Sequence, residues 1–216
     1  MKMTLHRALA QRKVTKARLQ KEIESSMFIA TTVGTTGKVD GIPVADTEKN
    51  IRGNYDRIVA LKKNLQVISN AINRANNGIT DDTVGISTVD FLGGKATLSS
   101  ILVAQEDLRC TKHLIEVMTK QLSKAKNAVS RSEMNVNERC DAFLSSMGGG
   151  DSSKLSASDI DAYSRSFHEN NDLKLVDPLH LEVLIESLKQ DAERLDIEAD
   201  SKISEINAMV NIDIPD

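Results

Sequence analysis

The chain has no Trp, two Tyr and four Phe among 216 residues, so it cannot build an aromatic core or an aromatic platform for stacking bases. Its two cysteines, Cys110 and Cys140, sit in no recognisable motif; that excludes a disulfide scaffold and fits thiols in a reducing compartment. No apolar run approaches the roughly 20 residues that cross a bilayer, and the N-terminus lacks the apolar stretch of a signal peptide. The sequence is therefore read as a soluble protein without membrane contact, in the cytoplasm, or in the host cytoplasm or virion if phage-encoded. What it has in place of aromatics is aliphatic residues and Ala, which pack helices through Leu, Ile and Ala seams. A chain of this length holds a sizeable core without disulfides or a metal, and the expectation is one helical domain over 1–216.

Charge is nearly balanced, at a formal -3, but unevenly spread. The first helical segment, from Thr4 to Ser25, carries Arg7, Arg12, Lys13, Lys16, Arg18 and Lys21 against Glu22 and Glu24. The last carries Glu182, Glu186, Asp191, Glu193, Asp196, Glu198, Asp200 and Glu205 against Lys189, Arg194 and Lys202. Attraction between these segments, within one chain or between copies, accounts for the pattern. Nucleic-acid binding fits it less well, because the net charge is acidic and no aromatics accompany the lysines.

Hydrophobic spacing marks four helices. In the first, Leu5, Leu9, Leu19 and Ile23 share a seam that passes through Arg12 and Lys16 and is polar in its middle. The second, capped by Asp46 or Thr47, runs through Ile51, Asn54, Ile58, Leu61, Leu65, Ile68, Ile72 and Ala75 to a C-cap at Gly78. The third starts at Thr97 and repeats Ile101, Ala104, Leu108, Thr111, Ile115, Met118, Leu122, Ala125 and Val129. The fourth starts at Asp177-Pro178 and carries Leu181, Ile185, Leu188, Ala192, Leu195, Ala199, Ile206 and Met209. Helices this long cannot bury an apolar stripe alone, so antiparallel hairpins, four-helix-bundle or coiled-coil-like, are expected. Hairpin one covers 1–80 and hairpin two 97–216, with a flexible insertion at about 135–172 around "SSMGGGDSSKLSASD".

Small β elements are expected at the tips. "MFIATTV" is β-rich and runs into "GTTGKVDGIPVADT", read as a flexible loop. "STVDFLGGKATL" is a hairpin signal, placing a β-hairpin at 84–98, and "DLKLV" is a further strand. Thr4, Leu5 and Leu9 match Thr97, Leu98 and Leu102 in spacing, and Ile72-Asn73 matches Ile206-Asn207. Internal duplication and chance likeness between heptad helices both explain this.

The order of these pieces resembles the septicolysin-like family of bacterial and phage helical-bundle proteins. The matching residues are Thr4 to Leu9, Ile72 to Asn76, Thr97 to Leu102, Ser130 to Glu133 and Asp196 to Asn207, with a second "SRS" inside "YSRSF" at Tyr163 to Phe167. The resemblance implies an oligomer of helical hairpins and no established activity.

The four histidines have no ligand spacing among themselves or with the cysteines, which argues against a zinc site. "GTTGK" and "GGKAT" lack the spacing of a phosphate loop and are read as turns, and no serine has a His and acid arrangement. No cofactor, metal or catalytic residue is assigned, and the chain is read as non-enzymatic. Candidate ligand or interface residues remain. "INRANN" either satisfies the last carbonyls of its helix or presents Asn73, Arg74, Asn76 and Asn77 as forked donors. Arg12 and Lys16 either pair with the acidic helix or hold an anion in a basic seam. The reading is a homo-oligomeric scaffold or interaction protein with a protein partner, such as a phage structural or assembly component. Its rival is a cytoplasmic oligomer that binds a small anionic ligand, such as a nucleotide, at subunit interfaces.

Overall fold

A computed structural model describes residues 3–76, 88–151 and 154–209, and the chain is mainly helical. In chain order the elements are α1 (Leu5–Ser25), β1 (Ala30–Val33), β2 (Lys38–Val39), β3 (Ile42–Pro43), α2 (Val44–Asn76), β4 (Thr88–Phe91), β5 (Gly94–Thr97), α3 (Leu98–Met147), α4 (Ala157–Asn171), β6 (Leu173–Val176) and α5 (Leu181–Met209). The heptad spacing is what these helices bury. On α2, Ile51, Ile58, Leu65 and Ile72 are each seven residues apart and all buried; on α5 the same is true of Ile185, Ala192, Ala199 and Ile206. Each fully buried Ile or Leu contributes about 1.5–3 kcal/mol relative to exposure.

Two compact units divide the chain: Met1–Ser26 with Tyr55–Val117 and Val183–Asp216, and Met27–Asn54 with Met118–Glu182. This division cuts across the expected hairpins at 1–80 and 97–216, because α2, α3 and α5 each supply residues to both units.

In the first unit, β4 and β5 form an antiparallel hairpin whose two-residue turn puts Leu92 and Gly93 at positive φ. Val89 and Phe91 of this hairpin pack with Ile101, Ala199 and Ile206. Thr97 then caps α3 reciprocally: its hydroxyl accepts from the Ser100 N–H at 3.3 Å and its own N–H donates to Ser100 Oγ at 2.9 Å. Thr4 caps α1 in the same unit. The expected hairpin residues 84–87 and the expected C-cap Gly78 lie outside the described residues.

In the second unit, β1 pairs antiparallel with β6 from Ala30↔Val176 to Val33↔Leu173; the β-rich "MFIATTV" and "DLKLV" mark the two strands in the sequence but not their pairing. Ala30, Val39, Ile51 and Val176 share one small core. The Phe28 N–H donates to Gln121 Oε1 at 2.9 Å, and Asn54 Nδ2 to the Met27 carbonyl at 3.0 Å.

Several expectations are corrected here. "GTTGKVDGIPVADT" is not simply a loop: Asp40 and Gly41, both at positive φ, turn β2 into β3. The following helix begins at Val44, ahead of the expected caps; Asp46 lies in its first turn, where an acid suits the helix dipole, and Thr47 Oγ1 donates back to the Pro43 carbonyl at 3.2 Å. α5 begins at Leu181 rather than directly after Asp177, because Pro178 and Leu179 form a turn and His180 takes a φ of 50°. Both Asp177 carboxylate oxygens still accept from the Leu181 N–H, at 2.9 and 3.0 Å.

The largest difference is at 135–172. α3 continues to Met147, burying Val136, Cys140 and Leu144, and α4 follows. Phe143, Tyr163 and Phe167 meet there: the two Phe rings stack at 5.3 Å, and Tyr163 meets Phe143 edge-on at 6.4 Å. The Gly148–Gly150 turn ends α3, with Gly149 and Gly150 at positive φ.

Candidate functional site

The polar middle of the α1 seam is a network of ion pairs in the first unit. Lys16 Nζ donates to Glu106 Oε1 at 2.6 Å, and Arg12 Nη2 stands 3.6 Å from Glu106 Oε2. One residue on, Asp107 takes Lys62 of α2 at 3.4 Å, and Lys62 also donates to Thr111 Oγ1 at 2.6 Å. Thr111 passes the chain on by donating to the Asp107 carbonyl at 3.0 Å. Two adjacent acids of α3 thus receive cations from α1 and from α2, partly shielded from water. The hydrogen bond from Lys16, with the charges of Lys16 and Arg12 behind it and burial opposing, holds the Glu106 carboxyl below its ordinary range. Burial, followed by the charge of Asp107, pushes the Cys110 thiol up, away from nucleophilic chemistry. Arg12 and Lys16 are therefore engaged inside the chain, with α3 rather than with the acidic last helix.

A second feature gathers polar groups at the end of α2 and the start of α3. A cavity of about 330 Å³ is lined by Asn70, Asn73 and Arg74 from α2, Lys95 and Thr97 from β5, and Ser99 and Ser100 from α3. Asn73 Nδ2 donates to the Ser99 carbonyl at 2.9 Å, tying the two helices together. Among the described residues Arg74 has no ion-pair partner. Lys95 is paired with Asp90 at 2.8 Å, an exposed bridge that draws the Asp90 carboxyl below its ordinary range, first through the Lys95 hydrogen bond. Asn76 ends α2 exposed and is not part of this lining, and Asn77 lies outside the described residues.

The third feature is apolar. Met3, Leu5 and Ala8 face Val67, Ala71 and Ala75 across an open groove of about 630 Å³, all within the first unit. Leu5 is 42% exposed and Val67 60%, and the neighbouring Leu9 is 45% exposed. The first half of the α1 seam is thus left uncovered, while Leu19 and Ile23 in its second half are fully buried.

Of the residues singled out from sequence, Asn73 and Arg74 come together in the cavity, and Arg12 and Lys16 come together elsewhere on Glu106. Asn70 belongs to the same amide-rich helix end as Asn73, whereas Lys95, Ser99 and Ser100, and the acids Glu106 and Asp107, are not among the sequence candidates. Lys95 and Thr97 lie in "GGKAT", whose two glycines mark a turn and whose lysine and threonine line the cavity. Among the described residues, no group of three His, Cys, Asp or Glu side chains is placed to hold a metal ion, and no helix is long and apolar enough to cross a membrane. No family model, no curated protein and no solved structure matches the chain.

Proposed function

We propose that the chain is a non-enzymatic helical scaffold that assembles with further copies of itself through its long hairpin helices. The observation that carries this reading is the apolar groove between α1 and α2, because exposed apolar strips bounded by polar surface mark interaction sites. A second copy is its occupant on grounds of charge. Arg7, Lys13, Arg18 and Lys21 of α1 are exposed, and none has an ion-pair partner among the described residues. Asp191 and Glu193 of α5 are exposed in the same condition. The ion pairs α1 does make run to Glu106 of α3 and to Arg57 of α2, and the Glu24 carboxylate also stands 3.7 Å from His113 Nε2. Copies of the chain therefore offer one another both an apolar strip and opposite charge. The septicolysin-like resemblance of the sequence supports the same oligomer of hairpins, and a phage structural or assembly component, acting in the host cytoplasm or virion, is the setting in which we place it.

The test is light scattering on Leu5→Glu and Val67→Lys variants. Both sites are exposed, so the folded chain tolerates the changes; loss of the oligomer with an unchanged far-ultraviolet spectrum supports the reading, and an unchanged oligomer in both variants overturns it.

A further inference from the structure

We infer that the cavity between the end of α2 and the start of α3 is a binding site for a small phosphate-bearing anion. This goes beyond assembly, since every lining residue belongs to one copy of the chain and to its first unit. Three donor types line it: the Arg74 guanidinium, the Lys95 ammonium and the Asn70 amide, beside the Thr97 and Ser99 hydroxyls, which stand 3.1 Å apart and bond each other. Among the described residues no carboxylate lines the cavity, and its charged lining groups, Arg74 and Lys95, are both cations.

Availability separates this cluster from the other cations of the unit. Arg12, Lys16 and Lys62 are each held by an acid of α3. Arg74 has no such partner among the described residues, and the Asn70 side chain makes no hydrogen bond among them. Lys95 is held by Asp90, but both side chains are mostly exposed, and an exposed pair of this kind exchanges readily for a better acceptor. The side chains define the site more than the helix terminus does, since the Ser100 N–H is already taken by Thr97 Oγ1. The first turn of α3 adds partial positive charge without having to supply the specificity.

The chemistry of the donors selects the ligand class. A guanidinium fork, an ammonium and an amide approach from two different elements, which suits a tetrahedral anion with three or more acceptor oxygens better than a flat carboxylate. The volume, about 330 Å³, lies at the small end of ligand sites, which run from roughly 300 to 1,000 Å³. A phosphate ester of a small alcohol or sugar fits these limits.

The test is calorimetric titration at constant ionic strength with inorganic phosphate, glycerol 3-phosphate and adenosine monophosphate. The wild-type chain is compared with Arg74→Ala and Lys95→Ala, and with Arg52→Ala as an exposed cation that is not part of the cavity lining. Saturable binding of inorganic phosphate or glycerol 3-phosphate is expected. Affinity should weaken fivefold or more in Arg74→Ala, weaken in Lys95→Ala and stay unchanged in Arg52→Ala, with melting temperatures matched across the set. Absence of saturable binding for all three probes overturns the site. So does binding in Arg74→Ala within fivefold of wild type. Binding of the nucleotide alone overturns the assignment to a small phosphate, because the base would then be the recognised group.

Discussion

Replacing Gly34 with Ala tests how β1 is seated on the end of α4. Gly34 has a φ of +55°, and a Cβ built on it would lie 2.1 Å from the Asn170 carbonyl oxygen and 2.5 Å from its carbon. Both are backbone atoms, and carbon atoms in contact ordinarily sit roughly 3.5–4 Å apart, so the loop must move by more than an ångström. The left-handed backbone costs an L residue about 1–2 kcal/mol. Movement also strains the Gly34 N–H bond to the Asp172 carbonyl, 2.8 Å long, which is worth about 0.5–1.5 kcal/mol. Together these predict a loss of about 1.5–3.5 kcal/mol.

Two other glycines separate the causes. Gly41 has a φ of +84° but open space around a built Cβ, so Gly41→Ala should cost the backbone preference alone, about 1–2 kcal/mol. Gly53 lies inside α2 with nothing within 4 Å, and Gly53→Ala should stabilise by about 0.5–1 kcal/mol. Because two compact units need not unfold together, urea denaturation should be read beside hydrogen exchange at Thr31 to Val33 and Leu173 to Val176. Equal effects for Gly34→Ala and Gly41→Ala would refute the close approach to Asn170.

Glu106 gives a pH dependence whose sign is fixed. Its folded pKa lies below the ordinary 4.5, so its stabilisation is fully present above that value and is lost as pH falls through the folded pKa. The melting temperature of wild type should exceed that of Glu106→Gln near neutrality and approach it as the pH falls below the ordinary carboxylate range; a gap that stays constant through that fall would sink the argument. Asp177→Ala removes both acceptors of the Leu181 N–H and should lower stability in urea by about 0.5–2 kcal/mol, while Asp177→Asn should retain part of the cap. Asn matching Ala in that assay would show that the carboxylate does not cap α5.

Much of the helical skeleton is legible because its signals are long-range and repeated. Ile51, Ile58, Leu65 and Ile72 recur at seven residues, and a pattern sustained over four turns or more outweighs any single propensity. The cap at Thr97 and the strands at β1 and β6 are legible for local reasons, a helix-start hydroxyl and β-branched runs. Helix starts near turns are less so. Pro178 reads equally well as the first helical residue or as a turn residue, and the positive φ of His180 decides between them only in three dimensions. The Asp40-Gly41 hairpin carried a clear turn signal, outweighed by the surrounding Gly and Thr. The α3 extension was hidden because "SSMGGGDSSKLSASD" looks like linker, although Val136, Cys140 and Leu144 continue the buried stripe up to it.

The candidate residues divide along similar lines. The amides and Arg74 were visible as an unusual cluster at a helix end. Their companions Lys95, Ser99 and Ser100 come from a segment more than twenty residues later in the chain, and only the packing of α3 on α2 brings them together. Arg12 and Lys16 were visible as polar residues in an apolar seam, but their partner Glu106 lies ninety residues away in sequence and has no local signature.

Native mass spectrometry of the full chain, at gentle collision energy and in a volatile buffer, tests the central claim most directly. Self-assembly through the α1 and α2 groove predicts one discrete multiple of the 23.7 kDa chain mass for wild type, and single chains for Val67→Lys. Wild type appearing at the single-chain mass, under conditions that keep a known oligomer intact, would contradict it.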